Sequence, residues 1–449
     1  MSINFANQRF LVLGAGVTGS AVAKSLQARG GIVSIADDNA PDAIKPEAVD
    51  LNNFDSVVIS PGWRQDHPLV IKVLASKLNI LNEIDLAWQI RAEVAPGQKW
   101  LALTGTNGKT TTVEMTAKIL QTAGLKAVAC GNVGDTVIDA VDRTDPYDYL
   151  VLELSSFQLH WSKQAQFVSA AILNIADDHL DWHGDFNSYA DAKFSILDRA
   201  AIAVLNADDG EVVKRANRFT DRKVFFSLET PAPGEIGVVE ELLVDRAFVP
   251  DPQQASMLCE LADIKPTVPH NVSNALAASA LARSIDVPHE IIQKALQEFR
   301  PGRHRIETVF ESDSIAWVDD SKATNPHAAI ASLLSYFNVI WIAGGLAKGA
   351  SMDELAKRAG SRIKSIILIG QDREIIAQAF AQHSPTTHLV RVDQSSDAKQ
   401  LMKDVVAEAK KTAKSGDTVL LAPACASMDQ FDSYVERGQL FAQAIKELV

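Results

Sequence analysis

Short apolar runs recur along the whole chain and alternate with stretches whose apolar residues return at helical spacing. The runs are continuous rather than alternating, which is typical of strands covered on both faces in a parallel sheet. The pattern therefore predicts an α/β fold with helices between parallel strands. The predicted strands are Arg9–Leu13, Ile32–Ala36, Ser56–Ser60, Trp100–Leu103, Tyr149–Leu154, Ser169–Leu173, Val339–Ala343, Ser365–Ile369 and Thr418–Leu421, with a more irregular β-rich stretch near 223–250.

Two Pro-Gly turns interrupt this alternation, at Ala95-Pro96-Gly97 and Arg300-Pro301-Gly302. Each turn follows a helical pattern and precedes a β-rich run, as expected at a domain boundary. They divide the 449 residues into segments 1–96, 97–300 and 301–449, each of ordinary domain size. The sequence therefore predicts three α/β domains.

Composition and charge limit the class of protein. The chain is 47% hydrophobic and 22% charged, as in folded globular proteins, and it has no apolar run that approaches a membrane span. We expect no signal peptide, because the apolar stretch before Gly14 is short. Three widely spaced cysteines without a CxxC pair suit a reducing cytosol rather than a disulfide framework. A net charge of −13 disfavours nucleic acid and anionic lipid as partners, so an anionic substrate requires lysines and arginines concentrated at its site.

A glycine loop opens the second segment. The residues LTGTNGKTTT run from a predicted strand through Gly105 and Gly108 into a predicted helix. The amides of such a loop bind phosphate oxygens, while Lys109 reaches the β- and γ-phosphates and the Thr110 hydroxyl coordinates Mg²⁺. Leu103 stands where the strict pattern has its first glycine, so the loop is a shortened variant. It predicts ATP binding, and a purely structural turn is the alternative.

A second glycine loop, GAGVTG at residues 14–19, opens the first segment between a strand and a helix. Asp37, at the end of the next predicted strand, completes the pattern of a dinucleotide site. Taken alone the pattern favours NAD. Because the chain has a separate ATP loop, a diphosphate ligand other than NAD explains this domain more simply. Ser60-Pro61-Gly62, at the end of the third predicted strand, offers further backbone donors. A turn without a ligand is the remaining alternative.

Ionisable side chains cluster in the middle segment. Glu153 ends a predicted strand, where ligands of parallel sheets gather, and its carboxylate suits Mg²⁺. The run DDHLDWH at residues 177–183 suits a hard metal ion with one histidine contributing. No glutamate follows His179 as in zinc proteases, and His183 is expected to be a packing or solvated residue. Lys193 beside an aromatic residue is expected to bury only its alkyl stem.

Three predicted strands of the last segment end in polar loops, VDDSKATNP, AGGLAKG and APACASMDQF. In the first loop Lys322 beside Asp320 suits a phosphate, and in the second Lys348 among glycines suits a carboxylate. Because parallel strands end at one edge of a sheet, the three loops together predict a substrate site.

Eight motifs in order along the chain resemble those of the Mur ligases. They are GTNGKTTT, LELSSFQL, ILNIADDHLDWHG, AKFSI, HNVSNALAA, GRHRIE, DDSKATNP and PACASMDQF, and they follow the GAGVTG loop. The resemblance implies a Rossmann-like domain for a uridine diphosphate substrate at 1–96, a P-loop ATPase-like domain at 97–300 and a Rossmann-like domain for the incoming amino acid at 301–449. It implies ATP-dependent ligation of D-glutamate to UDP-N-acetylmuramoyl-L-alanine through an acyl phosphate, in cytoplasmic peptidoglycan synthesis. We expect a monomer.

The resemblance also implies roles for individual residues. Lys193 is implied to be carbamylated and, with His179, to hold a second Mg²⁺ beside the one held by Thr110 and Glu153. This reverses the expectation from the local sequence around Lys193. The implied catalytic residues are Lys109, His179, Lys193 and Lys322. The implied ATP contacts are Gly105, Thr106, Asn107, Gly108, Lys109, Thr110, Thr111, Asn274, Arg305 and Asp320. The implied muramoyl nucleotide contacts are Val17, Thr18, Asp37, Gly62 and Asn132, and the implied D-glutamate contacts are Thr324, Lys348, Ser427 and Tyr434.

Two departures from the family pattern concern ligand contacts. Asp38-Asn39-Ala40 follows Asp37 where some members have an arginine, which leaves uracil stacking there without its residue. Leu346-Ala347 precedes Lys348 where some members have an acid.

Two alternative functions stay open. One is a relative that adds another amino acid or polyglutamates folate, although the PACASMDQF motif and the N-terminal diphosphate loop count against folate. The other is a nucleotide switch or NAD-sensing ATPase that uses both glycine loops. The set Glu153, His179 and Lys193 has no evident purpose in such a switch.

Overall fold

The computed structural model describes residues 5–251, 253–393, 395 and 397–449. These residues fall into two compact units, one comprising the chain up to 267 with 271–299 and the other comprising 268–270 with 300–449. The first unit contains two β-sheets and the second contains one. No helix in the described part is long and apolar enough to cross a membrane.

The first sheet is parallel throughout, with four strands in the order β2-β1-β3-β4. Leu11, Val12 and Leu13 of the inner strand β1 have no solvent exposure (0%). A continuous apolar run therefore occupies a strand that is paired on both sides and covered on both faces. The elements are β1 (Arg9–Leu13), α1 (Val17–Ala28), β2 (Ile32–Ala36), β3 (Ser56–Ile59), α2 (Pro68–Leu74), β4 (Asn79–Asn82) and α3 (Glu83–Val94).

The second sheet has nine strands in the order β13-β12-β11-β10-β9-β8-β5-β7-β6. The strands from β6 to β11 pair in parallel, and β12 and β13 extend the sheet in antiparallel fashion. The inner strand β5 lies between β7 and β8, so the carboxyl ends of these three strands are neighbours. The elements are β5 (Lys99–Thr104), α4 (Lys109–Thr122), β6 (Ala127–Gly131), α5 (Val137–Val141), β7 (Tyr149–Glu153), α6 (Ser156–Trp161), β8 (Ser169–Ile172), α7 (Leu180–His183), α8 (Phe186–Phe194), β9 (Ile202–Asn206), α9 (Gly210–Arg215), β10 (Arg222–Phe226), β11 (Glu235–Val239), β12 (Leu242–Asp245), β13 (Ser256–Glu260), α10 (Pro269–Arg283) and α11 (His289–Glu298).

The third sheet has six strands in the order β14-β15-β19-β16-β17-β18. Among the strands of the described residues, only the β14–β15 pair at its edge is antiparallel. Strands β15, β19 and β16 are neighbours, and they are the strands that the three polar loops follow. The elements are β14 (Glu307–Ser312), β15 (Ile315–Asp319), α12 (Pro326–Leu334), β16 (Val339–Gly344), α13 (Asp353–Ala359), β17 (Ile363–Ile369), α14 (Arg373–His383), β18 (His388–Arg391), α15 (Ala398–Thr412), β19 (Thr418–Leu421) and α16 (Tyr434–Leu448).

The α/β class and the predicted strands are confirmed, with strand ends that shift by one or two residues. The irregular stretch near 223–250 forms β10, β11 and β12, and the antiparallel pairs are the departure from the expected parallel sheets. Each of the segments 1–96, 97–300 and 301–449 carries one sheet, while their boundaries stay a prediction.

Candidate active site

The loop between β5 and α4 is held by the residues that follow β8. The amide of Thr106 donates to the carbonyl oxygen of Asn174 at 3.0 Å, and the amide of Asn107 donates to Asn174 Oδ1 at 2.8 Å. Lys109, the first residue of α4, turns its amine back onto the loop and donates to the carbonyls of Gly105 and Thr106, at 2.9 Å each. The loop is thus a folded-back turn at a helix N-terminus, a position that favours the binding of a phosphate group.

Helix α10 supports the same loop from another direction. Gly108 has φ +81°, and a Cβ there would lie 2.4 Å from Asn274 Oδ1. Thr112 Oγ1 donates to the same Asn274 oxygen at 3.3 Å. Asn274 is 162 residues from Thr112 in sequence, so the fold brings a predicted ATP contact against the loop. Thr110 is half-buried in the first turn of α4, and Thr111 beside it is buried.

Glu153 ends β7 and is almost fully buried, at 2% exposure. Its Oε1 accepts a hydrogen bond from Asn132 Nδ2 at 2.9 Å. Its Oε2 is buried and has no hydrogen-bond partner among the described residues. A buried carboxylate oxygen without a donor is costly unless a cation occupies the site, and carboxylate oxygens are the ligands that Mg²⁺ takes. The residue therefore fits the magnesium role predicted for it.

Lys193 lies on α8 and is buried against the glycine loop, at 2% exposure. Its Nζ donates to the carbonyl oxygen of Gly105 at 2.8 Å and lies 3.4 Å from Thr104 Oγ1. Burial lowers the pKa of Lys193 well below its usual value, and the charge of Lys109 lowers the pKa further. The expectation of a buried stem with a solvated amine is wrong, because α8 directs the amine inward.

The two histidines of the DDHLDWH run have different surroundings. His179 has φ +52° and a side chain that is 42% exposed, and its ring centroid lies 4.7 Å from that of Phe157. His183 is buried, and its Nε2 lies 2.9 Å from Ser156 Oγ. Burial lowers the pKa of His183 to about 4. The expectation of a packing role holds for His183, whereas His179 remains accessible for a ligand.

A cavity of about 730 Å³ lies in the first unit, between the loops of the first sheet and those of the second. Asp37 at its wall accepts hydrogen bonds from the amides of Ala15 (2.8 Å), Asn39 (2.8 Å) and Ala40 (3.0 Å). These bonds lower the pKa of the Asp37 carboxyl. The cavity brings together all the residues predicted for the muramoyl nucleotide, Val17, Thr18, Asp37, Gly62 and Asn132.

The cavity also has walls that the sequence reasoning missed. Trp63, Arg64 and His67 line it after β3, and Phe157 lines it from α6. The rings of Trp63 and His67 meet edge to face, with centroids 4.6 Å apart. Trp63, Arg64 and His67 follow Ser60-Pro61-Gly62 in the sequence, but that motif indicated backbone donors only.

In the second unit, Asp320 follows β15 and is buried. It accepts hydrogen bonds from Ser332 Oγ and from the amide of Ile306. Burial raises the pKa of the Asp320 carboxyl to about 6, although the charge of nearby Arg305 acts in the opposite direction. Lys322, in the same loop, holds its Nζ 4.1 Å from the centre of the Tyr434 ring.

Arg437 of α16 joins two of the three polar loops. Its guanidinium has no solvent exposure (0%) and donates to Ser321 Oγ at 3.0 Å, to the Ser321 carbonyl at 2.9 Å and to the Cys425 carbonyl at 3.3 Å. Of the residues predicted to bind D-glutamate, Thr324 and Ser427 lie on these two loops, and Ser427 is buried. Lys348 is exposed on the third loop at φ +51°.

A lysine-bearing glycine loop at a strand–helix junction, with a buried acid at the end of the neighbouring strand, is typical of the P-loop class of nucleotide-binding proteins. Two family models match the chain: the Mur ligase middle domain over residues 103–282 and the Mur ligase glutamate ligase domain over residues 304–425. The chain belongs to the Mur ligase family.

Relatives match along the full length. The chain is 45% identical to a UDP-N-acetylmuramoylalanine--D-glutamate ligase of Thermobifida fusca, over 98% of both chains. It is 44% identical to the enzyme of the same name from Streptomyces avermitilis, over 99% of both. Among solved structures, MurF ligase from Thermotoga maritima in complex with ADP aligns with a TM-score of 0.61 at 16% identity, over 100% of both chains. At that identity the structure supports the fold alone.

Proposed function

We propose that this chain ligates D-glutamate to UDP-N-acetylmuramoyl-L-alanine with cleavage of ATP, a step of peptidoglycan precursor synthesis. The identity of 45% over 98% of both chains to a relative named for that reaction carries the proposal. The first unit supports it, because Lys193 and Asn274 lie against the glycine loop and the residues predicted for the muramoyl nucleotide line one cavity.

The chemistry accounts for these parts. A carboxylate is a poor electrophile, so the terminal alanine carboxylate first attacks the γ-phosphorus of ATP, and ADP leaves. The amine of D-glutamate then attacks the acyl phosphate carbon, inorganic phosphate leaves, and the new amide nitrogen loses a proton. Positioning and charge neutralisation provide most of the rate in such transfers. In this proposal the loop amides and Lys109 hold the ATP phosphates, and Lys322 lies near the transferred group.

Thr110 and Glu153 would hold one Mg²⁺ and His179 with Lys193 a second. When bound, Mg²⁺ neutralises the phosphate charge. To coordinate the second Mg²⁺, Lys193 must carry a carboxylate group. Its amine is buried and has a lowered pKa, which favours the formation of that group. The neutral nitrogen attacks the carbon of carbon dioxide, an N–C bond forms and one proton leaves. The lysine side chain, which is a cation in water, thereby becomes an anionic ligand with oxygen donors.

The remaining assignments belong to the same proposal. The cavity would hold the uridine diphosphate and muramoyl groups, and Thr324, Lys348, Ser427 and Tyr434 would bind the carboxylates of D-glutamate. The ATP contacts of Arg305 and Asp320 rest on the family resemblance. We propose a cytoplasmic location, since the substrates of this reaction are cytoplasmic metabolites, and the monomeric state stays a prediction. The domain roles are uridine diphosphate for 1–96, ATP for 97–300 and the amino acid for 301–449.

Phosphate release from ATP tests the proposal. We expect release only when both UDP-N-acetylmuramoyl-L-alanine and D-glutamate are present, with one ligated product per phosphate. Preference for L-alanine, a diamino acid or a folate acceptor would assign the chain to another branch of the family. Tight NAD(H) binding without affinity for a uridine nucleotide would support the switch instead.

A further inference from the structure

The cavity of the first unit has an unusual charge for its proposed ligand. A nucleoside diphosphate carries negative charge, yet the cavity is lined by the carboxylates of Asp37 and Asp38 in a chain of net charge −13. Among the described lining residues, Arg64 is the one lysine or arginine. None of the cations that the sequence reasoning singled out, Lys109 among them, lines this cavity.

The guanidinium of Arg64 is held from two sides. Its Nε and Nη2 donate to the two carboxylate oxygens of Asp66 at 2.9 and 3.0 Å. Its Nη1 donates to the main-chain carbonyl oxygen of Asp181, 117 residues away in sequence, at 2.9 Å. The Arg64 side chain is nevertheless 45% exposed to solvent. Three of the five N–H groups are therefore used, and each terminal nitrogen keeps one N–H that can donate to a ligand.

We propose that Arg64 recognises a phosphate group of the nucleoside diphosphate bound in this cavity, through its two remaining N–H groups. The inference rests on the proposed function, because that function puts a diphosphate in the cavity. A planar guanidinium matches phosphate oxygens with two parallel hydrogen bonds, which a lysine cannot reproduce. Because Asp66 and Asp181 already fix the side chain, binding costs little further conformational entropy.

Binding of uridine diphosphate to the full chain, measured by calorimetry at low and high sodium chloride, tests the inference. Arg64→Ala is expected to weaken binding about 10- to 100-fold at low salt, the range of a lost charged hydrogen bond. It should also remove most of the salt dependence, because screening acts on the charge that is lost. Arg64→Lys should keep the salt dependence and recover only part of the affinity.

Arg9→Ala is the matched control. Arg9 makes the same forked contact to Asp55, with Nε and Nη2, and its side chain is also 45% exposed, but it does not line the cavity. Uridine diphosphate binding should be unchanged in this variant. Unchanged binding in Arg64→Ala would overturn the inference, as would an equal loss at both salt concentrations, which indicates a structural role. If the unaltered chain ligates D-glutamate while Arg64→Ala binds uridine diphosphate normally, only this inference fails. If the unaltered chain neither ligates D-glutamate nor binds uridine diphosphate, the proposed function fails with it.

Discussion

The amine of Lys193 lies 2.8 Å from the carbonyl oxygen of Gly105, 88 residues earlier in the chain. The contact buries the lysine amine against the glycine loop, where we propose that ATP binds. Burial and the nearby charge of Lys109 lower the pKa of Lys193, so more of the amine is neutral than in a solvated lysine. Only a neutral amine forms a carbamate, so the site favours the modification proposed for it.

Lys193→Ala is therefore expected to reduce the ligation rate by about 100-fold, the upper end of the losses that follow removal of metal-supporting groups. Added acetate should restore part of the rate in this variant, because it supplies the missing carboxylate. The measurement is phosphate release with and without acetate. Lys118→Ala, which removes a half-buried lysine paired with Glu298 away from Lys193, is the control, and its rate should change neither with the substitution nor with acetate. Normal turnover in Lys193→Ala would exclude the carbamate role.

Glu153→Gln tests the magnesium site. The substitution keeps an oxygen for the hydrogen bond from Asn132 and removes the charge of the buried, unpaired Oε2. We expect the Mg²⁺ concentration for half-maximal rate to rise about 10-fold or more, as for other lost ligand charges. The measurement is the initial rate over a Mg²⁺ series at saturating ATP. The same midpoint in variant and parent would show that Glu153 does not hold the ion.

Gly108 at the glycine loop and Gly124 have the same φ, so alanine substitutions at the two positions distinguish backbone strain from a steric clash. Gly108 and Gly124 both have φ +81°, but a Cβ at Gly108 would lie 2.4 Å from Asn274 Oδ1, and one at Gly124 would meet nothing within 4 Å. An alanine at either position costs about 1–2 kcal/mol of folding stability, from the left-handed backbone alone. Gly108→Ala should in addition weaken ADP binding about 10-fold, because Asn274 and the loop must shift. Thermal unfolding and ADP titration measure the two effects, and equal ADP affinity in both variants would contradict the prediction.

Glu83 makes folding stability depend on pH. The residue is 2% exposed, and its Oε1 accepts from the amide of Ile138 at 2.9 Å. Burial raises the pKa of Glu83 from 4.5 to about 7. The folded chain therefore binds more protons than the unfolded chain between these values, and this contribution to stability is lost as pH rises through 7.

Glu83→Gln cannot ionise and should lack that loss. Between pH 5 and pH 8 the free energy of unfolding of the parent chain should fall relative to that of Glu83→Gln. The difference between the two changes should be about 1–3 kcal/mol. Urea unfolding at the two pH values measures this difference. Parallel changes in parent and variant would show that Glu83 has an ordinary pKa.

The strands were predictable because their cause is local. A run such as Leu11-Val12-Leu13 is apolar at every position, and only a strand covered on both faces buries all of it. The antiparallel pairing of the edge strands was not predictable, since the local sequence of a strand does not specify the direction of its partner. The nucleotide loop and Glu153 were predictable for a related reason: glycine spacing and strand ends are visible in the sequence.

The surroundings of Lys193 and Arg64 were not visible in the same way. Burial of the Lys193 amine depends on where α8 lies against the glycine loop, a contact across 88 residues. Arg64 is directed by Asp66, two residues on, and by the carbonyl of Asp181, 117 residues on. The family resemblance supplied a role for Lys193, and nothing in the sequence supplied one for Arg64.

The contacts of Arg437 limit how the second unit can be redesigned. Its buried guanidinium donates to Ser321 Oγ and to the main-chain carbonyls of Ser321 and Cys425, so a change in the backbone path of either loop leaves buried donors unpaired. An engineer who redesigns these loops can vary side chains other than that of Ser321, but has to retain the arginine and the backbone path of both loops. Libraries that insert or delete residues in one loop alone are expected to destabilise the unit, because they move a carbonyl that the arginine requires.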